Sequence, residues 1–239
     1  MAQRLAILVL FCACATSAPP GPGTLRARPH PNAAQCAAGQ RMMGEAVLYV
    51  PPAVAAKAPL LVLLHGAGGN PHTVVDRYRG LADEHGVILV APKSRAVTWD
   101  AIGGPLGPDV SSIDSTLAAV FDSCSIDPSR LAIGGFSDGA SYALTLGLAN
   151  GSLFSHILAF AACIIASEIV PHGLPRIFLS HGTADEIMPV DHCGRRLAAQ
   201  LREMNYPLRY EEFRGGHQVP PRIAAEAFDW FAGRTIRSR

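Results

Sequence analysis

The sequence predicts an α/β domain built on a doubly wound, mostly parallel sheet of about seven strands, with helices on both faces and no large lid. Three observations lead there. Short apolar runs recur along the chain, and most are continuous rather than alternating, as in strands covered on both faces. The segments between them carry apolar residues at helical spacing. The two kinds of segment then alternate, and strand–helix repetition builds parallel sheets.

Taken in order, the strand-like runs are Glu45–Val50, Leu60–Leu64, Val87–Ala91, Leu131–Gly134, Ile157–Ala161, Ile177–Ser180 and Leu208–Phe213. The helical stripes are Val74, Tyr78, Leu81 and Ala82, then Ile113, Leu117, Val120 and Phe121. Ala140–Leu148 reads as a helix throughout. Leu197, Leu201 and Met204 form a further stripe, and Ile223, Ala227, Trp230 and Phe231 the last. Only about fifteen residues separate Ala161 from Ile177, too few for a large lid, so the site should be open.

Length and charge narrow the function classes. A chain of 239 residues fits one domain, with enough residues for a core that needs no metal. Lys and Arg number 20 against 19 Asp and Glu, and no block of either sign stands out, which argues against nucleic acid or an anionic surface as partner.

The first residues read as an export signal, placed at 1–18. Arg4 supplies a positive start, Leu5 to Ala15 is uninterrupted and apolar, and Ala13-Cys14-Ala15 or Thr16-Ser17-Ala18 offers a cleavage site. The run is too short for a stable membrane span, which takes about 20 residues. Lipoprotein processing at Cys12 or Cys14 is a weaker alternative, since the preceding residues fit it poorly. Residues 19–38, rich in Pro and Ala, are expected to be a linker, with the folded domain over 39–235. Export to a secreted or periplasmic location would leave Cys36, Cys124, Cys163 and Cys193 in an oxidising compartment. All three pairings are open, as is the alternative of buried free thiols. Cys163 and Cys193 each follow a strand, so a disulfide between them would brace the site. No cysteine or histidine spacing suggests a zinc site.

In doubly wound sheets, ligands sit beyond the carboxyl ends of the strands, so the residues after each strand matter most. After Leu64 comes His65-Gly66-Ala67-Gly68-Gly69-Asn70. As a dinucleotide loop it fails, because Pro71 stands where the third glycine belongs. As an oxyanion loop it would point backbone N–H groups at a developing negative charge, with Gly66 and Gly68 letting substrate approach. After Gly134 comes Gly135-Phe136-Ser137-Asp138-Gly139, running straight into a helix. A nucleophile on so tight a turn needs small neighbours two positions either side. In a chain with 23 glycines the pentapeptide alone is a modest signal; its place between strand and helix is the stronger one.

After Ser180 comes His181-Gly182-Thr183-Ala184-Asp185-Glu186, where Asp185 could orient an imidazolium. Glu186 and Asp191 compete, as a solvated loop charge and a helix cap. After Phe213, Arg214-Gly215-Gly216-His217 sets a histidine on a loosened loop. His65 and His181 begin turns and read as structural hydrogen-bonders. The chain order serine, acid, histidine is that of α/β-hydrolases and not of the chymotrypsin or subtilisin arrangements.

On these residues the chain resembles the phospholipase/carboxylesterase group of the α/β-hydrolase superfamily, which includes acyl-protein thioesterases and small bacterial carboxylesterases. The carriers are LLVLLHGAGGN, DVSSIDSTLAAV, GGFSDGASYAL, HGTADEIMPV and FRGGHQVPP, within Leu60 to Phe231. The resemblance implies Ser137 as nucleophile, Asp185 as acid, His217 as base and the N–H groups of Ala67 and Asp138 as oxyanion hole, with no metal or organic cofactor. It implies a small-molecule or lipid-like ester as substrate. Thioesterases of the group more often carry Gln-Gly after the nucleophile, where this chain has Asp138-Gly139; that difference bears on substrate preference. Trp99, on the Lys93–Pro108 loop, is expected either as a wall of the substrate pocket or as core packing. Open alternatives are an esterase directed at polysaccharide or polyester (feruloyl, acetyl or depolymerising), a lysophospholipase or thioesterase, and a non-catalytic binding protein. The last is disfavoured because all three triad positions are filled.

Overall fold

A computed structural model of the chain describes residues 21–233. The expected export signal, with Arg4, Cys12, Cys14 and both cleavage sites, lies outside the described residues.

Eight strands form one sheet in the order β1-β2-β4-β3-β5-β6-β7-β8. They are β1 (Gly39–Met43), β2 (Ala46–Val50), β3 (Ala58–Leu64), β4 (Ile88–Ala91), β5 (Ile126–Phe136), β6 (His156–Phe160), β7 (Arg176–Gly182) and β8 (Leu208–Phe213). From β3 onward all neighbours are parallel, while β1 and β2 pair antiparallel at one edge. The helices are α1 (Pro71–His85), α2 (Pro108–Ser123), α3 (Asp138–Ala149), α4 (Arg196–Glu203) and α5 (Pro221–Ala232), with a single π turn, Asp191–Arg195, leading into α4.

Alternation along the central strands sorts side chains to two faces. Leu61 and Leu63 of β3 join Val75 and Tyr78 of α1 and Ile223 and Phe228 of α5. Leu60, Val62 and Leu64 join the other core, with Leu117 and Phe121 of α2, Leu144 of α3 and Leu201 of α4. Both faces are covered, which is why these strands carry unbroken apolar runs. Helix α1 is punctuated at both ends: Asn70 caps its start by accepting the Thr73 N–H, and Gly86 closes it in the left-handed region.

Two expectations differ from the structure. The sheet has one strand more than the apolar runs indicate, because β1 is a largely exposed edge strand without an apolar run. The 19–38 segment, expected as a linker, is from Gly21 onward a strap laid on the α2/α3 side. Leu25 is 0% exposed. Its N–H donates to Asn150 Oδ1 (2.8 Å), and Asn150 Nδ2 returns a bond to Gly23 O (2.8 Å). Asp114 Oδ1 accepts the N–H groups of Arg26 and Ala27, and Ala34 O accepts that of Ser125. A disulfide between Cys36 and Cys124 then fastens the strap to the end of α2. The strap's polar groups find partners far along the chain, which local composition cannot show.

No helix among the described residues is long and apolar enough to cross a membrane.

Candidate active site

Ser137 occupies the turn between β5 and α3 with φ 60° and ψ −123°, a left-handed conformation that costs a non-glycine residue energy. Its surroundings enforce the turn. A Cβ on Gly135 would come within 2.5 Å of the Gly139 carbonyl, and one on Gly139 would run into the carbonyl oxygens of Leu64 and His65. The spacing of the two glycines therefore comes from the close approach of β3 and α3 to the turn. Helix α3 starts at the next residue, so its amide dipoles face the serine.

Beside Ser137 stands His217, on the loop after β8. His217 Nε2 is 2.8 Å from Ser137 Oγ, and His217 Nδ1 is 2.7 Å from Asp185 Oδ2. With Nδ1–H donating to the carboxylate, Nε2 is free to accept the serine hydroxyl. Asp185 lies on the loop after β7, and its other oxygen accepts the N–H groups of Ile187 (3.0 Å) and Met188 (2.8 Å). Burial alone would raise the Asp185 carboxyl, but the Met188 amide, the His217 imidazole and the Ile187 amide together bring it below the ordinary aspartate value. The acid and histidine loops also clasp each other, since the Ala184 N–H donates to Gly215 O (2.9 Å). Glu186 is exposed on the same loop, and Asp191 is bonded to Arg195 of the π turn; neither is bonded to His217.

The loop after β3 completes the surroundings. Gly66 lies against Ser137, where an added Cβ would be 3.4 Å from the serine's own. Gly68, at φ +68°, donates its N–H to Val97 O (2.7 Å). His65 is buried and clamped: Nδ1–H donates to Gly66 O (2.7 Å), and Nε2 accepts the Ser94 N–H (3.1 Å). Burial holds its imidazole below the ordinary histidine value. Among the described residues, no acceptor meets the N–H of Ala67 or of Asp138.

Trp99 does not form a pocket wall. It is 1% exposed, stacks on Tyr142 with ring centroids 5.3 Å apart, and donates its indole N–H to His65 O (2.8 Å). Its indole N–H thus finds an interior partner, and the side chain supports the loop after β3 from within. The same loop holds Asp138, whose Oδ2 accepts the Thr98 hydroxyl (2.7 Å). Asp109, almost fully buried, accepts the N–H groups of Arg95 and Asp100 and so fixes the loop. Nothing in the sequence marked Thr98, and although Asp109 opens the DVSSIDSTLAAV run, its bonds to a loop without periodicity could not be read from it.

A cavity of about 380 Å³ reaches Phe136, the residue before Ser137, and is lined among others by Gly66, Ala67, Val74, Arg77 and Tyr78. The Phe136 ring packs against the His217 imidazole at 4.7 Å. The connection from β6 to β7 carries no helix. Cys163 on that connection is joined to Cys193 of the π turn by a second disulfide. Among the described residues no group of His, Cys, Asp or Glu could hold a metal ion.

Comparison with known proteins points the same way. Residues 109–229 match the family described as Phospholipase/Carboxylesterase. The chain is 30% identical over 151 residues to the esterase NocK of Nocardia uniformis subsp. tsuyamanensis, a match covering 59% of this chain and 44% of NocK. It is 26% identical over 206 residues to acyl-protein thioesterase 1 of Neurospora crassa, covering 70% of this chain and 83% of the relative. Among solved structures, esterase PE8 superposes with a TM-score of 0.63 at 24% identity, over 79% of this chain and 99% of its own. The Bacillus cereus carboxylesterase gives 0.63 at 17% identity, over 79% and 93%. At such identities the superpositions establish a shared fold.

Proposed function

Because the chain belongs to the phospholipase/carboxylesterase family of α/β-hydrolases, we propose that it is an exported serine hydrolase that cleaves small or medium acyl esters through an acyl-enzyme on Ser137. The observation that carries this reading is the unbroken chain Ser137–His217–Asp185, in which each hydrogen bond is 2.8 Å or shorter. Asp185 spends its second oxygen on two backbone amides, so its orientation does not depend on the histidine it serves.

In the proposed reaction, His217 Nε2 takes the proton of Ser137 as Oγ bonds to the ester carbonyl carbon. The carbonyl electrons move to oxygen, and the Ala67 and Asp138 amides receive the oxyanion, each worth about 3 kcal/mol of barrier. His217 returns the proton to the departing alcohol as the ester C–O bond breaks. Water then repeats the sequence on the acyl-enzyme and releases the acid. Asp185 stays ionised throughout and stabilises the imidazolium.

Two features support export: the apolar N-terminal run, and two disulfides, which persist in oxidising compartments. The similarity to acyl-protein thioesterase 1 favours a second reading, a thioesterase. Matched oxyester and thioester substrates of one acyl group separate the two by their kcat/KM ratio. For the main reading, a fluorophosphonate probe should label the folded wild-type protein at Ser137 and leave Ser137→Ala unlabelled. An unlabelled wild type removes the catalytic reading; a labelled Ser137→Ala removes the residue assignment.

A further inference from the structure

His181, on β7 four residues before Asp185, is 0% exposed. Its Nε2 is 2.7 Å from Met188 O and 3.4 Å from Asp185 Oδ2. A carbonyl only accepts, so Nε2 must carry a proton. Its Nδ1 is buried with no partner among the described residues. The ring is therefore not held by hydrogen bonds on both sides, as an ordinary structural histidine is. It is held by packing. Gly194 of the π turn lies flush against it, so close that an added Cβ would sit 2.7 Å from Nδ1.

The pieces that press on this ring are themselves tethered. Cys193, next to Gly194, is disulfide-bonded to Cys163. The Cys163 N–H in turn donates to Ser141 Oγ (3.0 Å), on α3 one turn past the nucleophile. Met188 is bound from both sides: its N–H goes to Asp185 Oδ1 and its carbonyl receives the His181 N–H. Removing His181 would free that carbonyl and the segment 186–188 that orients the carboxylate.

We infer that His181 is a positioning residue for Asp185: its Nε2–H, directed at Met188 O and within reach of Asp185 Oδ2, keeps the carboxylate aimed at His217. The inference rests on the triad reading above. The charged and titratable groups around His181 are Asp185 on its own loop, His217 beyond that carboxylate, and Glu212 of β8, which is paired with Arg195 of the π turn. Both Glu212 oxygens are taken by Arg195, whereas an Asp185 oxygen lies 3.4 Å from His181 Nε2, so Asp185 is the carboxylate His181 serves.

His181→Phe keeps the ring and loses the donor; His181→Gln places an amide N–H near the former Nε2. With a short-chain ester, His181→Phe should lower kcat by about 10- to 100-fold with KM little changed, as misdirected catalytic groups do. It should also move the acid limb of the kcat/KM profile to higher pH, because a carboxylate that has lost the polar N–H 3.4 Å away holds the imidazolium more tightly. His181→Gln should recover most of kcat and the wild-type limb. A folded His181→Phe with wild-type kcat and limb overturns the inference. So does an equal loss in both variants with an unmoved limb, which would mean packing alone. Should His181→Phe fail to fold, Gly194→Ala pushes a methyl onto the ring instead, and unchanged kcat there overturns it equally. Fluorophosphonate labelling of wild type is read in parallel; if that fails, the triad reading falls, and the failure is not charged to His181.

Discussion

Asp138 places a carboxylate one residue from Ser137, and Thr98 fixes where it points. At the start of α3 the charge is favourable for the helix. On the proposed reading it would act as a filter, since an anionic ester bound at Ser137 would meet a like charge on the next residue. Asp138→Asn keeps the shape and removes the charge. It should raise kcat/KM for a half-ester carrying a free carboxylate about fivefold to tenfold relative to the neutral diester, an effect of about 1 kcal/mol. The gain should shrink in high salt. His156 offers a test of another kind. Burial, then the nearby Arg176, push its imidazole down to about 4, and it packs against Trp230 and Phe231. The folded state therefore keeps it neutral while the unfolded chain protonates it near 6.5. Its contribution to stability is whole above pH 6.5 and is lost as the pH falls towards 4. Thermal melts of His156→Phe should lose less stability than wild type across that window; parallel curves would refute the assignment.

Among the elements, the strap shows most clearly where sequence reading succeeds and fails. The central strands were legible because burial on both faces leaves an unbroken apolar signature, and the candidate triad was legible because its members each follow a strand, β5, β7 and β8. β1 was not, being an exposed edge whose pairing with β2 depends on a partner's backbone. Trp99 could be read two ways from sequence, and only the carbonyl of His65 decides between them. The strap was illegible because its bonds join residues 87 to 127 positions apart. Its fastening should matter to stability: Cys36→Ser with Cys124→Ser opens a bridge spanning 88 residues and should cost about 4 kcal/mol in urea unfolding. Ester hydrolysis should persist while the variant stays folded, since the strap runs along α2 and α3 away from the triad. A midpoint equal to wild type would show that Leu25 and Asn150 suffice.

For the whole molecule, the sheet sets three loops of different sequence origin at one edge, and braces on either side hold them there. On one side, Asp109, Thr98 and Trp99 fix the 93–107 loop against α2, Asp138 and the loop after β3. On the other, the Cys163–Cys193 bridge and the π turn back the acid loop. Between these braces the chain from β6 to β7 crosses without a helix. Among the described residues, then, no helix of that crossing lies over Ser137. On the proposed ester-hydrolase reading, a lipid–water boundary should therefore awaken nothing in it. Its velocity should climb hyperbolically with a sparingly soluble ester and pass the solubility limit without a jump or a lag, as stopped assays on either side of that limit would record. A sharp rise at the limit would reveal a gate in the loops.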